Sequence, residues 1–247
     1  MYKNLADVYD LLMEDMPYQQ WADFLDQIIK SKSPESQTIL DLGSGTGSIS
    51  LLLSRKGYQL TNLDLSEEMT SRAKHKYREA GLKAEFIAGD IRDIDYEQSY
   101  DVIISTFDTL NYFTDPQEFQ EVLNRIFRAL KPGGILVFDM NTKYKFEKFL
   151  GDQIYTYNTE SLVYIWENNY DHDKRMIDID LSFFLQKEGL VYERFQEHHV
   201  QKYYSVTESR SFLKKAGFNS VEVYQDLEFK KPGKKGIRNF FVCCKSS

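Results

Sequence analysis

A chain of 247 residues with 42% hydrophobic and 15% aromatic content can bury a sizeable core, as one α/β domain or as a domain with an appendage, and is not disordered. Its formal net charge of -7 opposes a polyanion everywhere except at a local patch, which disfavours nucleic acid as a partner. No run of 18 uncharged apolar residues offers a membrane span and the acidic start lacks the pattern of a secretion signal, so a cytoplasmic protein is expected.

Leu5, Val8, Tyr9 and Leu12 repeat at helical spacing, and Tyr18, Trp21, Leu25, Ile28 and Ile29 form a second stripe after Pro17. Two amphipathic helices within residues 1–33 therefore precede a polar connector. The apolar runs TILDL, YQLTNLDL, AEFIAGD, YDVIIST and GILVFDM then alternate with helical segments. Ser66 caps one of these with Glu67 and Glu68 in its first turn. Over 115–130, Asp115 is the cap, Pro116 takes the first helical position and Glu118 closes a capping box, ahead of a stripe from Phe119 to Leu130. Strand–helix alternation implies right-handed crossovers and a parallel, doubly wound sheet.

The alternation breaks near residue 152, and until about 204 three period-2 runs predict an inserted antiparallel β subdomain. A helix capped by Thr207 and stopped by Gly217 follows, then two strands that form an antiparallel closing pair at the sheet edge. Cys243 and Cys244 are neighbours on the last of these and point to opposite faces, so they read as packing residues.

The first strand of the alternating region, ending near Asp41, runs into a loop with glycines at 43, 45 and 47. A dinucleotide fingerprint wants a third glycine where Ser48 stands. Ligands of an open parallel sheet bind outside the carboxyl ends of its strands, and Asp41, Asp64, Asp90 and Asp139 all terminate strands there. Asp64 follows Gly43 by 21 positions (64 minus 43), the offset at which a carboxylate accepts from both ribose hydroxyls. Asp90 is one strand further along, where an adenine amine would lie. Asp41 would repel a pyrophosphate but help a ligand that carries an ammonium and a sulfonium, which favours S-adenosylmethionine over NAD. A plainer reading, that Asp41 holds loop amides, stays open.

These residues resemble the class I S-adenosylmethionine-dependent methyltransferases: ILDLGSGTG is similar to their first motif, LDLSEEM to the acidic second, AGDIRD to the third, and LKPGGILVFD to the segment entering the fifth strand. The resemblance implies a Rossmann-like, mostly parallel seven-stranded sheet with an antiparallel last strand, formed by residues 1–151 and 205–247, with 152–204 as the insertion. It implies that Gly43, Gly45 and Gly47 line the methionine end of the cofactor, Asp64 the ribose, Leu65 and Met69 the adenine wall, and Asp90 with Ile91 the adenine edge. Tyr9 would cover the cofactor or simply pack. No metal site is assigned.

The implied activity is methyl transfer to an O or N nucleophile of a small molecule, with a tRNA methyltransferase and a non-catalytic S-adenosylmethionine binder as the open alternatives. STFDTLNYF follows the fourth strand where an amino-group nucleic-acid methyltransferase has an Asn/Asp-Pro-Pro-aromatic motif, which argues against that chemistry. Asp108, Tyr112 and His199 are the candidate bases; alternation puts Glu197, His199 and Gln201 on one strand face. The aromatic insertion, with Tyr155, Tyr164, Trp166, Phe183 and Tyr192, fits a lid over the acceptor, core packing or a homodimer face. The basic stretch 229–238 reads as a solvated hairpin loop, with an RNA contact as the alternative.

Overall fold

The computed structural model describes residues 5–246. Helices α1 (Leu5–Leu12) and α2 (Tyr18–Lys32) lead into β1 (Thr38–Leu42), α3 (Ser48–Arg55), β2 (Gln59–Asp64), α4 (Glu67–Glu79), β3 (Glu85–Ala88), β4 (Tyr100–Ser105), α5 (Pro116–Ala129) and β5 (Leu130–Asn141). Four long strands follow, β6 (Ile154–Asn158), β7 (Leu162–Asp171), β8 (Met176–Gln186) and β9 (Tyr192–Lys202), and the chain closes with α6 (Val206–Ala216), β10 (Ser220–Gln225) and β11 (Arg238–Cys244).

Seven strands form one sheet in the order β10-β11-β5-β4-β1-β2-β3. Only β11 runs against its neighbours, pairing antiparallel with both β5 and β10. Both faces of this sheet are covered, so its strands are continuous apolar runs instead of alternating ones. Along β1, Ile39 joins Trp21, Leu25, Ile28, Leu53 and Val242 under α2 and α3, whereas Leu40 joins Phe119, Leu123, Ile126, Phe138, Leu213 and Phe241 under α5 and α6. The stripe of α5 shows the driving force: Phe119, Val122, Leu123 and Ile126 are all nearly solvent-free, each contributing roughly 1.5–3 kcal/mol by leaving water. Cys243 is buried, Cys244 partly so, and both are free thiols.

Strands β6–β9 make a separate antiparallel sheet that roofs the carboxyl edge of the first. Asn111, in the 3-10 turn Thr109–Tyr112, ties roof to floor: its amide nitrogen donates to the Lys202 carbonyl at 2.7 Å and its oxygen accepts from Asn141 N at 3.0 Å. Three local expectations need correction. Asp115 caps α5 by accepting from Gln117 N at 2.7 Å, and Glu118 accepts from Arg92 instead of closing a capping box. Helix α6 is capped by Ser205, which forms a capping box with Glu208, and Thr207 lies inside the helix. The roof has four strands, because IYTYN pairs with β7 as an edge strand whose side chains are mostly exposed and so carry no burial alternation. Among the described residues no helix is long and apolar enough to cross a membrane.

Candidate functional site

The loop after β1 is pinned from both sides. Gly43 N and Ser44 N donate to the Leu63 carbonyl at 2.8 and 3.1 Å, and Gly45 N donates to Asp64 Oδ2 at 2.7 Å. The three glycines serve different purposes. A Cβ on Gly43, where φ is +72°, would stand 2.5 Å from Thr109 Cγ2; on Gly47, also at +72°, it would stand 3.0 Å from Ala73 Cβ. Gly47 therefore lets α3 approach α4. Gly45, at φ +55°, has no atom within 4 Å of that position and presents bare backbone to open space.

That space is a cavity of about 680 Å³ between the sheet edge, α1 and the roof. Tyr9, Gly43, Gly45, Asp64, Leu65, Met69, Asp90 and Ile91 all line it, as do Asp108, Tyr112 and His199. Asp41 and Gly47 do not line it. Asp41 is 1% exposed behind the loop, where the Ser50 hydroxyl donates to its Oδ2 while Oδ1 has no partner. Burial pushes the Asp41 carboxyl up to about 7, with the neighbouring Asp64 adding to the rise against the Ser50 bond.

On the β2–β3 side, Asp64 is raised by burial and accepts from Ser66 N at 2.9 Å as well as from Gly45 N. Arg92 folds back on Asp90, its backbone N donating to Oδ1 at 2.8 Å and its Nε to Oδ2 at 2.9 Å, and its Nη1 reaches Glu118 at 3.0 Å. Those bonds hold the Asp90 carboxyl below its ordinary value.

On the β4–β5 side, Phe107 and Asp108 are consecutive left-handed residues, with φ of +58° and +54°. Non-glycine residues persist there only when their surroundings fix them. Asp108 N donates to Asp139 Oδ2 at 3.1 Å, and the Asp108 carboxylate accepts from Gln201 Nε2 at 2.7 Å and pairs with Arg238 at 2.7 Å. The same Arg238 Nη1 pairs with Asp139, and the guanidinium packs over the rings of Trp21 and Phe107. Burial pushes Asp108 up, but Arg238 and Lys145 hold it below the ordinary range. Burial and Asp108 raise Asp139, and burial brings Lys145 down to about 8.

Above this loop the Tyr112 hydroxyl lies 3.2 Å from His199 Nδ1. His199 is 6% exposed, and burial, with His198 beside it, lowers its pKa against the pull of Asp108. Glu197, His199 and Gln201 share the buried face, as alternation predicts. Tyr164, Trp166 and Phe183 line the cavity from the roof, whereas Tyr155 and Tyr192 are exposed and lie outside its lining. Sequence reasoning did not find Tyr18, Thr46, Ser48, Arg92 or Phe107, all of which line the cavity. Arg238, read as part of a basic loop, is instead the first residue of β11, with a side chain only 14% exposed.

A family model described as a methyltransferase domain matches residues 39–134. The putative methyltransferase YqeM of Bacillus subtilis (strain 168) is 36% identical over 247 residues, covering 100% of this chain and 98% of that protein. This chain belongs to the class I S-adenosylmethionine-dependent methyltransferases. The crystal structure of an S-adenosylmethionine-dependent methyltransferase from Clostridium acetobutylicum ATCC 824 superposes with a TM-score of 0.89 at 29% identity, covering 100% of this chain and 99% of the other. A dTDP-3-amino-3,4,6-trideoxy-alpha-D-glucopyranose N,N-dimethyltransferase of Streptomyces venezuelae is 28% identical over 136 residues, 54% of this chain and 56% of its own. The cofactor of this methyltransferase is S-adenosylmethionine. The site fits it: Gly45 leaves a cradle that any side chain would fill, and Asp41 keeps a buried oxygen without a partner under the same loop.

Proposed function

We propose that the protein transfers a methyl group to an oxygen or nitrogen of a small molecule held under the β6–β9 roof, with His199 as the general base. The observation that carries this reading is the shared cavity: Gly45, Asp64 and Asp90 line one part, and Asp108, Tyr112 and His199 another, so donor and acceptor would meet between them. Bound S-adenosylmethionine supplies a methyl group already activated by its sulfonium. What remains for the chain is positioning, exclusion of water and removal of one proton.

Each task has a residue. Asp64 would accept the ribose hydroxyls, Leu65, Met69 and Ile91 would hold the adenine, and Asp90 would face its amine. Tyr9, from α1, covers the donor. Tyr164, Trp166 and Phe183 close the acceptor side against water, which gives residues 152–204 the role of a cover. His199 is neutral at pH 7 because its pKa is lowered, so it is able to take a proton from a nucleophile. Tyr112 orients the imidazole. Similarity over about half the chain to an amino-sugar N,N-dimethyltransferase supports a small, nitrogen-bearing acceptor. The net charge of -7 speaks for a small molecule over RNA.

The test is methyl transfer from isotopically labelled S-adenosylmethionine into fractionated cytoplasmic small molecules and, separately, total RNA. Label in the small-molecule fraction that disappears in His199→Ala supports the reading. Label in RNA alone replaces it with a tRNA-type activity, and tight binding with no label in either assigns the chain to cofactor sensing.

A further inference from the structure

The amino-acid end of the cofactor is zwitterionic, and its carboxylate meets an acidic neighbourhood. Asp64 and Asp108 line the cavity and Asp41 lies just behind the loop. Of the cations near the cavity, Arg92 is engaged by Asp90 and Glu118, and Arg238 by Asp108 and Asp139. At the glycine loop itself a different cation is placed. Lys76, in the third turn of α4, directs its ammonium at the loop's hydroxyls: Nζ donates to Thr46 Oγ1 at 2.8 Å and Ser48 Oγ at 3.0 Å, and to Asp10 Oδ1 of α1 at 2.7 Å. Thr46 and Ser48 line the cavity, and Lys76 stands behind them.

We propose that Lys76 is a positioning residue for the carboxylate of S-adenosylmethionine, acting through Ser48. An ammonium has three protons, and here they go to Asp10, Thr46 and Ser48. Thr46 passes its own proton to Asp10 at 2.7 Å. Ser48, which lines the cavity, accepts from Lys76 and so keeps its own hydroxyl proton to give. That proton is available to an acceptor in the cavity and is polarised by a full charge one hydrogen bond away. Asp10 balances that charge on the side away from the cavity and fastens α1, with its Tyr9, over the donor.

This inference rests on the reading that puts the amino-acid end at the glycine loop, and the two are separable by calorimetry on the full-length protein with two ligands. S-adenosylhomocysteine carries the carboxylate and ammonium; 5′-methylthioadenosine keeps the adenosine and thioether but lacks both. Lys76→Gln should weaken S-adenosylhomocysteine roughly tenfold, the scale of one charge-assisted hydrogen bond, and leave 5′-methylthioadenosine unchanged. The ammonium does not explain such a loss, because removing a lysine would favour it. Lys76→Arg should restore most of the affinity. Ser48→Ala should show the same selectivity, which keeps the test open where the Lys76 variant folds poorly. Equal losses for both ligands, or no loss for S-adenosylhomocysteine, would overturn the proposal by reducing Lys76 to a prop for α1. Failure of the wild type to bind either ligand would overturn the placement of the cofactor along with it.

Discussion

Arg238 and Asp108 form an ion pair at 2.7 Å although they come from the start of the last strand and from the loop after β4. The same guanidinium meets Asp139, so Arg238, helped by Lys145 at 3.9 Å from Asp108, balances two aspartates whose carboxylates would otherwise oppose each other at the floor of the cavity. The pair is what lets Phe107 and Asp108 hold consecutive left-handed conformations against the acceptor space.

Arg238→Met should therefore cost about 3–5 kcal/mol, as expected when one partner of a buried pair is removed. Adding Asp139→Asn should recover part of it. The stranded carboxylates of the single variant will bind protons more readily when folded than when unfolded. Its stability should accordingly fall as pH rises from the unfolded value near 4 through the raised folded value. Urea denaturation at several pH values measures this, and a variant as stable as the wild type at pH 8 would refute the counter-ion role.

His199 titrates below its ordinary value of 6.5, because burial disfavours the cation. If it removes the acceptor's proton, kcat rises with pH up to that lowered value and is flat above it. His199→Ala should lose about 10²–10⁴ in rate, the usual worth of a general base, with S-adenosylhomocysteine affinity unchanged. Tyr112→Phe should lose less and shift the inflection. A rate in His199→Ala equal to the wild type would return the search to Asp108.

Asp41 titrates well above an ordinary carboxylate, since burial carries it from 3.8 to about 7. A ligand with positive charge at the glycine loop favours the ionised form, so binding should release protons and tighten as pH rises through that value. Calorimetry of S-adenosylmethionine at pH 6.5 in two buffers of different ionisation enthalpy reads the release. Asp41→Asn should abolish it; uptake of protons by the wild type would show that the carboxylate does not sense the ligand.

Gly43→Ala places a Cβ 2.5 Å from Thr109 Cγ2 at φ +72°, whereas Gly57→Ala, at φ +101°, meets nothing within 4 Å. The second should cost only the left-handed strain of about 1–2 kcal/mol, and the first more, with loss of S-adenosylhomocysteine binding. Chemical denaturation beside calorimetry separates the two. Equal costs would mean that the loop gives way more readily than its hydrogen bonds imply.

The fold was readable because period and punctuation agree along most of the chain: Asp115 and Pro116 start α5, Ser66 starts α4, and each parallel strand is a short apolar run. β6 escaped because exposed tyrosines on an edge strand leave no alternation to read. Ser205 and Thr207 are both acceptable caps in isolation, and only the Glu208 partner chooses between them. For the site, the rule that ligands meet strand ends brought Asp64 and Asp90 to the cavity, yet it did not tell them from Asp41, turned inward under the loop, or from Asp139, buried against Arg238. Arg238 and Lys76 carry no local mark. Their meaning lies in partners 99 and 66 positions away, and Arg238 was masked by four exposed lysines just before it.

The place of β11 has a consequence for time as well as space. It lies between β10 and β5, so its pairing brings together segments separated by 99 residues in the case of Arg238 and Asp139. Loop-closure entropy makes such a closure expected late on a folding path, after the local strand–helix units have formed. The cavity floor is then the last region to acquire its charges' partners, and a molecule stalled one strand short would hold the glycine loop in place while Asp108 and Asp139 still repelled each other. Competence to bind the donor and competence to align an acceptor would arise at different moments in the life of each chain.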